Sequence, residues 1–146
     1  FQNHYVVTID NQIVASIAVF DRTQAQLMEI ACIKDMLSYF GWQFFGAAYR
    51  GLKFERLVPK PLKYSLYIAH LGVATEQRGK GLGQQIIAWV IEKAKQQGYQ
   101  SISLDVSKAN VDAQRLYLKL GFESFRYQTS KINNIADHET LVFYIR

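Results

Sequence analysis

The sequence has few of the residues that mark secreted or fibrous proteins: it contains one cysteine, two prolines and no long apolar run in 146 residues. A single cysteine forms no internal disulfide, which excludes a secreted disulfide scaffold. No segment approaches the ~20 apolar residues of a membrane-spanning helix, and no signal-peptide pattern opens the chain. With 49% hydrophobic, 14% aromatic and 20% charged residues, the composition excludes collagen, coiled-coil and disordered classes, and repeats and low-complexity tracts are absent. The sequence therefore predicts one globular, cytoplasmic domain over 1–146.

Positive charge exceeds negative charge, and the excess is confined to one stretch. The formal net charge is +5, and between Arg50 and Lys80 seven basic residues stand against two acids, while the rest of the chain is balanced. This excess indicates an anionic partner, such as nucleic acid, a membrane surface or a phosphorylated small molecule. No nucleic-acid-binding motif accompanies it, so we expect neither nucleic acid nor a membrane as partner.

Hydrophobic periodicity predicts a mixed α/β protein of the α+β kind, with elements in the order ββααβαβαββ. The predicted strands cover 5–9, 13–20, 64–73, 101–106, 122–132 and 140–146. The predicted helices cover 24–40, 42–57, 81–97 and 110–120. This order indicates a mixed sheet with helices on its faces. Within the first helix, Cys32 has apolar neighbours and is predicted to be a buried structural thiol.

A glycine-rich segment, Arg78-Gly79-Lys80-Gly81-Leu82-Gly83, joins the predicted strand over 64–73 to the helix over 81–97. Glycines let the backbone approach a ligand closely, and free N–H groups at a helix N-terminus attract phosphate. A dinucleotide-binding loop needs glycine at position 84, where Gln84 stands. A nucleotide-hydrolase loop needs glycine at position 74 and serine or threonine at 81, where Ala74 and Gly81 stand. The segment therefore predicts an anion site of another kind.

Two segments together resemble the signatures of the GNAT superfamily of N-acetyltransferases. Arg78-x-x-Gly81-x-Gly83 after Leu71-Gly72-Val73 matches the acetyl-CoA signature of that family. Asn110-x-x-Ala113-x-x-Leu116-Tyr117-x-x-x-Gly121-Phe122 is similar to its second signature, and the two occur in the family's order over about 64–125. The resemblance implies a mostly antiparallel twisted sheet flanked by helices, and acetyl-CoA (coenzyme A) as co-substrate without a metal.

The resemblance also implies how the co-substrate binds. In the family, two central strands splay apart and acetyl-CoA inserts its pantetheine arm into the gap. The N–H of Val73 would bind the thioester carbonyl as an oxyanion donor, and the N–H groups of 78–84 would hold the pyrophosphate. Asn110 matches a position that hydrogen-bonds the cofactor, and asparagine also suits a helix N-cap. The implied cofactor-binding residues are Leu71, Val73, Arg78, Gly79, Lys80, Gly81, Leu82, Gly83, Gln84, Asn110 and Tyr117.

Tyr117 is similar to the family's usual general acid, because a phenol is protonated at neutral pH and can give its proton to a departing thiolate. The competing interpretation is a core tyrosine. Two side chains and water remain open as the general base. His70 lies three residues before Val73, and histidine ordinarily titrates near neutrality. Asp105 stands where some protein N-terminal acetyltransferases of the family carry a glutamate.

The chain departs from the family's pattern before residue 64. The strand and two helices that usually open the family's fold do not precede the hairpin, and 24–57 forms a helical insertion before the central strand instead. Either the chain is a piece of a longer protein, or the insertion replaces the missing elements. Seven aromatic residues fall between positions 39 and 54. They form part of the core, an acceptor pocket or a homodimer face.

The sequence thus predicts an N-acetyltransferase that moves an acetyl group from acetyl-CoA to a primary amine by direct transfer in a ternary complex. The acceptor is a small molecule, a protein N-terminus or a lysine side chain. The alternative is a non-catalytic acyl-CoA-binding or sensor module on the same fold. Turnover of acetyl-CoA with a panel of amines separates the two.

Overall fold

The computed structural model describes residues 3–41, 60–130 and 135–146, which form a six-stranded sheet with helices packed on it. The strands are β1 (His4–Ile9), β2 (Gln12–Phe20), β3 (Ser65–Val73), β4 (Ser101–Ser107), β5 (Glu123–Gln128) and β6 (His138–Tyr144). The helices are α1 (Arg22–Phe40), α2 (Leu82–Gln96) and α3 (Val111–Lys119). The strand order is β1-β2-β3-β4-β6-β5, and among these neighbours β3 and β4 are the parallel pair.

The predicted order of elements and the mostly antiparallel mixed sheet are confirmed across the described residues. The predicted helix over 42–57 lies outside the described residues. The strand predicted over 122–132 is shorter than expected, since it covers only Glu123–Gln128, and the last two predicted positions, 131–132, lie outside the described residues. In the part of the chain that the structure describes, no helix is long and apolar enough to cross a membrane.

Local sequence signals determine where several elements begin and end. Asp10 and Asn11 have φ angles of 50° and 62°, and two successive left-handed residues form a tight turn whose twist matches that of a hairpin. Asp21 and Gln24 form a capping box at the start of α1, which satisfies two backbone N–H groups. Gly98 follows α2 with a φ of 75°, the conformation in which glycine ends a helix.

The two faces of the central strands differ in polarity, because successive strand residues alternate between faces. One face, which we call the core face, packs against α2 and α3. Its buried apolar residues include Leu66, Ile68, Ile102, Leu104 and Leu141, which pack with Ile87 and Val90 of α2 and Tyr117 of α3 in one core cluster. The other face of these strands, which we call the polar face, carries side chains that hydrogen-bond to one another. On it, Ser65 donates to Ser103 at 2.9 Å and Tyr67 donates to Asp105 at 2.9 Å.

Helix α1 differs from its prediction in how it packs. None of its residues is buried and Cys32 is exposed, so the prediction that Cys32 is a buried structural thiol is wrong. The cause is the distribution of apolar side chains around the helix. Successive residues are about 100° apart, so Leu27, Met28 and Ile33 point in different directions and form no single apolar stripe. Apolar neighbours in the sequence therefore did not indicate burial at this position.

Candidate functional site

The parallel strands β3 and β4 separate part-way along their length. Their pairing runs from Ser65 opposite Ser101 to Ile68 opposite Leu104. Beyond this point β3 remains paired with β2 and β4 remains paired with β6. We call the opening between 69–73 and 105–107 the fork. Such an opening leaves backbone hydrogen-bonding groups without a neighbouring strand, so they need another partner.

The N–H groups of Leu71 and Val73 point into the fork. The N–H of Ala74 donates to the carbonyl oxygen of Val14 in β2 at 2.8 Å. Because the backbone groups of successive strand residues point to alternate sides, those of Leu71 and Val73 are directed away from β2. The Nε of Arg78 donates to the carbonyl oxygen of Val73 at 3.1 Å, which agrees with this direction. The fork therefore presents N–H donors at two positions assigned to the cofactor by resemblance.

The glycine-rich segment forms the start of α2 just beyond the fork. Gly79 and Gly81 have φ angles of 74° and 82°, a left-handed conformation that favours glycine. Gly81 is the N-cap residue, and no side chain caps the helix. The N–H groups of the first turn therefore lack a capping partner and, together with the helix dipole, suit an anion. Gly83 has a separate role, because a Cβ there would stand 3.4 Å from Leu116 in α3.

One cleft of about 650 Å³ runs from the fork to the start of α2. Ten of the residues assigned to the cofactor by resemblance line it: Leu71, Val73, Arg78, Gly79, Gly81, Leu82, Gly83, Gln84, Asn110 and Tyr117. Lys80 does not line it, and the Lys80 Nζ donates to Gln77 Oε1 at 3.3 Å. The sequence reasoning did not assign five of the described lining residues to the cofactor, namely Gly72, Gln77, Asp112, Ala113 and Leu116. Gly72, Ala113 and Leu116 belong to the two signature segments, and Gln77 and Asp112 stand beside motif residues, which is the signal that identifies them.

Helix α3 supplies Asn110 and Tyr117 to the cleft. The Asn110 side chain accepts a hydrogen bond from the Ala113 N–H at 3.2 Å, as expected of an N-cap. Tyr117 is 8% exposed, and its ring lies 5.6 Å from that of Phe122, centroid to centroid. Its hydroxyl makes no hydrogen bond with any described residue, and burial raises the pKa of the phenol. Tyr117 is thus a core residue that also lines the cleft, and its hydroxyl stays protonated at neutral pH.

Asp105 lies on the polar face, one residue beyond the last pair of β3 with β4. Its carboxylate accepts hydrogen bonds from the hydroxyls of Tyr67 and Thr140. Burial raises the pKa of Asp105, whereas the bonds from Thr140 and Tyr67 and the charges of His138 and Arg126 act in the opposite direction. Burial and the neighbouring Asp105 raise the pKa of Tyr67, which therefore remains a donor. The sequence reasoning missed Tyr67 and Thr140, because their approach to Asp105 depends on strand register.

Asp105 also lines a cavity of about 430 Å³ on the polar face. The residues around this cavity are Arg22, Lys60, Pro61, Leu62, Lys63, Tyr67, Ser103, Asp105, Phe125, Arg126 and Thr140. The cleft that contains Tyr117 lies on the core face, so the cleft and the cavity approach the fork from opposite faces of the sheet.

His70 lies apart from both openings. It is exposed, its Nε2 is 3.4 Å from the Oγ of Ser16, and its ring centroid is 6.1 Å from that of His4. It lines neither the cleft nor the cavity. Of the three residues predicted to be catalytic, the structure therefore gathers Tyr117 and Asp105 around the fork on opposite faces and leaves His70 outside both openings.

The raised pKa of Asp105 predicts a pH dependence of stability. A carboxyl whose pKa is higher in the folded than in the unfolded chain favours the fold below its ordinary pKa, and that contribution is lost as pH rises through its folded-state value. Asp105→Asn should remove this loss, so from about pH 4 upward the variant should gain stability relative to the wild type. Urea denaturation of both proteins across this range measures the effect. A stability difference that does not change with pH would contradict it.

The family model described as "Acetyltransferase (GNAT) family" matches residues 2–122. The chain belongs to the GNAT acetyltransferase family. The match includes both signature segments and the strands that form the fork, and it extends upstream of residue 64, where the sequence departs from the usual GNAT pattern. The resemblance found from the two motifs is therefore confirmed at the level of the family.

Curated relatives of this GNAT chain match it over short segments. N-acetyltransferase 8B of Homo sapiens is 38% identical over 58 residues, which are 40% of this chain and 26% of that protein. The uncharacterized N-acetyltransferase YobR of Bacillus subtilis (strain 168) is 44% identical over 55 residues, which are 38% of this chain and 22% of that protein. These matches therefore span only about a quarter of the length of either relative.

A solved structure shows the same fold. The GNAT family acetyltransferase from Elizabethkingia anophelis, solved with acetyl-CoA bound, superimposes with a TM-score of 0.63. The alignment covers 97% of this chain and 74% of that chain, at 15% sequence identity. The fold of the GNAT chain is thus shared over nearly its whole length with a protein of distant sequence.

Proposed function

We propose that this GNAT chain is an N-acetyltransferase that moves the acetyl group of acetyl-CoA to a primary amine by direct transfer in a ternary complex. The observation that carries the proposal is the single cleft that contains the fork, the start of α2 and Tyr117. An uncapped helix start alone suits many anions. Its combination with strand N–H donors and a protonated phenol suits a ligand that has both a pyrophosphate and a thioester.

The residues of the cleft fit acetyl-CoA in two regions. The free N–H groups at the start of α2 suit the pyrophosphate, and Arg78 keeps guanidinium donors in addition to the Nε that bonds Val73. The absence of side chains at Gly79 and Gly81 lets the backbone approach the phosphates. In the fork, the N–H groups of Leu71 and Val73 suit the pantetheine arm and the thioester carbonyl. Bound there, acetyl-CoA supplies an activated acyl group.

The reaction requires one proton acceptor and one proton donor. The acceptor enters as an ammonium and first loses one proton through the proton acceptor to water. The free amine nitrogen then forms a bond with the thioester carbonyl carbon, the carbon–sulfur bond breaks, the nitrogen gives up a second proton and the thiolate takes one. The N–H of Val73 stabilises the negative charge that develops on the carbonyl oxygen. Tyr117 donates to the thiolate, because its raised pKa keeps the hydroxyl protonated.

Asp105 is the proton acceptor that the geometry favours. It borders the fork from the polar face, where an acceptor amine can enter without crossing the cleft. A carboxylate with a raised pKa is a stronger base than an ordinary aspartate. His70 remains the competing candidate, although it lines neither opening.

Two variants identify the base. With Asp105 as base, Asp105→Asn should lower kcat by about 10-fold or more at neutral pH and remove the acidic limb of the pH–rate profile. His70→Ala should retain both the wild-type kcat and the acidic limb of the pH–rate profile. The measurement is kcat against pH at saturating acetyl-CoA. If the acidic limb disappeared in His70→Ala and remained in Asp105→Asn, His70 would be the base. If the acidic limb remained in both variants, water would be the base.

The proposed function itself is tested by the release of the coenzyme A thiol from acetyl-CoA in the presence of amines. The panel includes small amines, peptides with a free N-terminus and peptides with a lysine side chain. We expect amine-dependent release with at least one class. Binding of acetyl-CoA without release for any amine would instead indicate an acyl-CoA-binding or sensor module.

A further inference from the structure

Among the residues that the structure describes, the lining of the cavity on the polar face has an unbalanced charge. Four described basic residues line it, namely Arg22, Lys60, Lys63 and Arg126, and Asp105 is the acid among the described lining residues. Lys60 is neutralised by Glu29, since its Nζ lies 3.0 Å from the Glu29 carboxylate. The other three bases form no ion pair with any acid in 3–41, 60–130 or 135–146.

The uncompensated charge lies on the face opposite the start of α2. Lys63 and Arg126 line the polar-face cavity and not the cleft, so the pyrophosphate of a cofactor held at α2 does not neutralise them. Asp105 offsets only one of the three charges of Arg22, Lys63 and Arg126. An amine that carries only its own positive charge would enter a region that remains positive.

We infer that the acceptor is a small amine that also carries an anionic group, such as a carboxylate, phosphonate or phosphate, a few bonds from its nitrogen. This inference rests on the proposed function, because it takes the cavity to be the acceptor side of the fork. The amine end faces Asp105, and the anionic end lies among Arg22, Lys63 and Arg126. Guanidinium groups suit this role because they bind planar or tetrahedral oxyanions through two parallel hydrogen bonds. A cavity of about 430 Å³ suits a small molecule.

The test compares amines that differ in charge. Initial rates with β-alanine and aminoethylphosphonate are measured beside those with uncharged propylamine and dicationic putrescine, at constant ionic strength. We expect kcat/KM for the two anionic amines to exceed that for propylamine by about 10-fold or more, and putrescine to be the poorest acceptor. A peptide that begins with aspartate presents the same charges on a protein N-terminus. A higher kcat/KM for it than for β-alanine would overturn the assignment to a small molecule.

Charge-removing variants connect this preference to the cavity. Arg126→Gln and Lys63→Gln should each reduce the ratio of kcat/KM for aminoethylphosphonate to that for propylamine by about 10-fold. Lys95→Gln is the matched control, because Lys95 pairs with Glu92 at 2.8 Å on the exposed side of α2, away from both openings. It should leave the ratio unchanged, and calorimetry should give wild-type acetyl-CoA affinity for all three variants.

The outcomes distinguish this inference from the proposed function. Propylamine or putrescine acetylated as well as the anionic amines would overturn the inference and leave the acetyltransferase intact. If Arg126→Gln and Lys63→Gln both kept the wild-type ratio of kcat/KM for aminoethylphosphonate to that for propylamine, the inference would likewise be overturned and the acetyltransferase would remain. Acetyl-CoA bound by the wild-type chain without acetylation of any amine would overturn the proposed function, and the inference with it.

Discussion

Replacing Tyr117 by phenylalanine is expected to lower kcat by about 100-fold or more and to change acetyl-CoA affinity little. The phenyl ring keeps the contact with Phe122, so the substitution removes the hydroxyl and little else. Because that hydroxyl makes no hydrogen bond with any described residue, the fold should lose little stability. Steady-state kinetics, calorimetry with acetyl-CoA and thermal unfolding measure the three quantities.

Tyr99→Phe is the control for loss of a tyrosine hydroxyl elsewhere. The Tyr99 hydroxyl donates to Asp21 at 2.9 Å, and Tyr99 does not line the cleft. This variant should lose about 1 kcal/mol of stability and keep its kcat. If Tyr117→Phe turned over at the wild-type rate, Tyr117 would be a core tyrosine without a role as acid.

Replacing Gly81 by valine is expected to weaken acetyl-CoA binding by about 100-fold or more. Gly81 has a φ of 82°, and a β-branched residue in this conformation is strained by about 1–3 kcal/mol. The strain distorts the start of α2, where free N–H groups would hold the pyrophosphate. Calorimetric titration with acetyl-CoA measures the loss.

Gly98→Val separates the loss of binding from the loss of stability. Gly98 has a similar φ of 75°, and a Cβ at either glycine would meet no atom within 4 Å. The two variants should therefore lose similar stability, but Gly98 lies at the other end of α2, outside the cleft. Equal acetyl-CoA affinities of Gly81→Val and Gly98→Val would remove the start of α2 as the pyrophosphate site.

The features that the sequence could predict are those that depend on near neighbours. The glycines at 79 and 81 occur where the chain turns from strand to helix, and Asn110 occurs where a helix needs a cap. Such positions are recognisable because a backbone conformation or a capping bond limits the residues that fit there. Most of the described residues that line the cleft belong to the two segments that resemble the GNAT signatures, so the resemblance, added to these local signals, identified them.

The features that the sequence could not predict depend on how distant segments meet. Thr140 reaches Asp105 because β4 and β6 pair in a register that sets these two residues opposite each other. Periodicity identifies strands but does not specify which residues face each other across them. For the same reason, the basic stretch between Arg50 and Lys80 did not indicate that Lys63 and Lys80 lie in different surroundings. Lys63 lines the polar-face cavity, whereas Lys80 bonds Gln77 beside the cleft.

We propose that acetyl-CoA enters from the core face and the acceptor amine from the polar face, so that the two meet at the fork. A crystal structure of the chain with acetyl-CoA would show where the cofactor binds. We expect the pyrophosphate at the start of α2, the thioester carbonyl within hydrogen-bonding distance of the Leu71 or Val73 N–H, and the acetyl group directed toward Asp105. A pyrophosphate bound among Arg22, Lys63 and Arg126, with the fork empty, would rule out this arrangement.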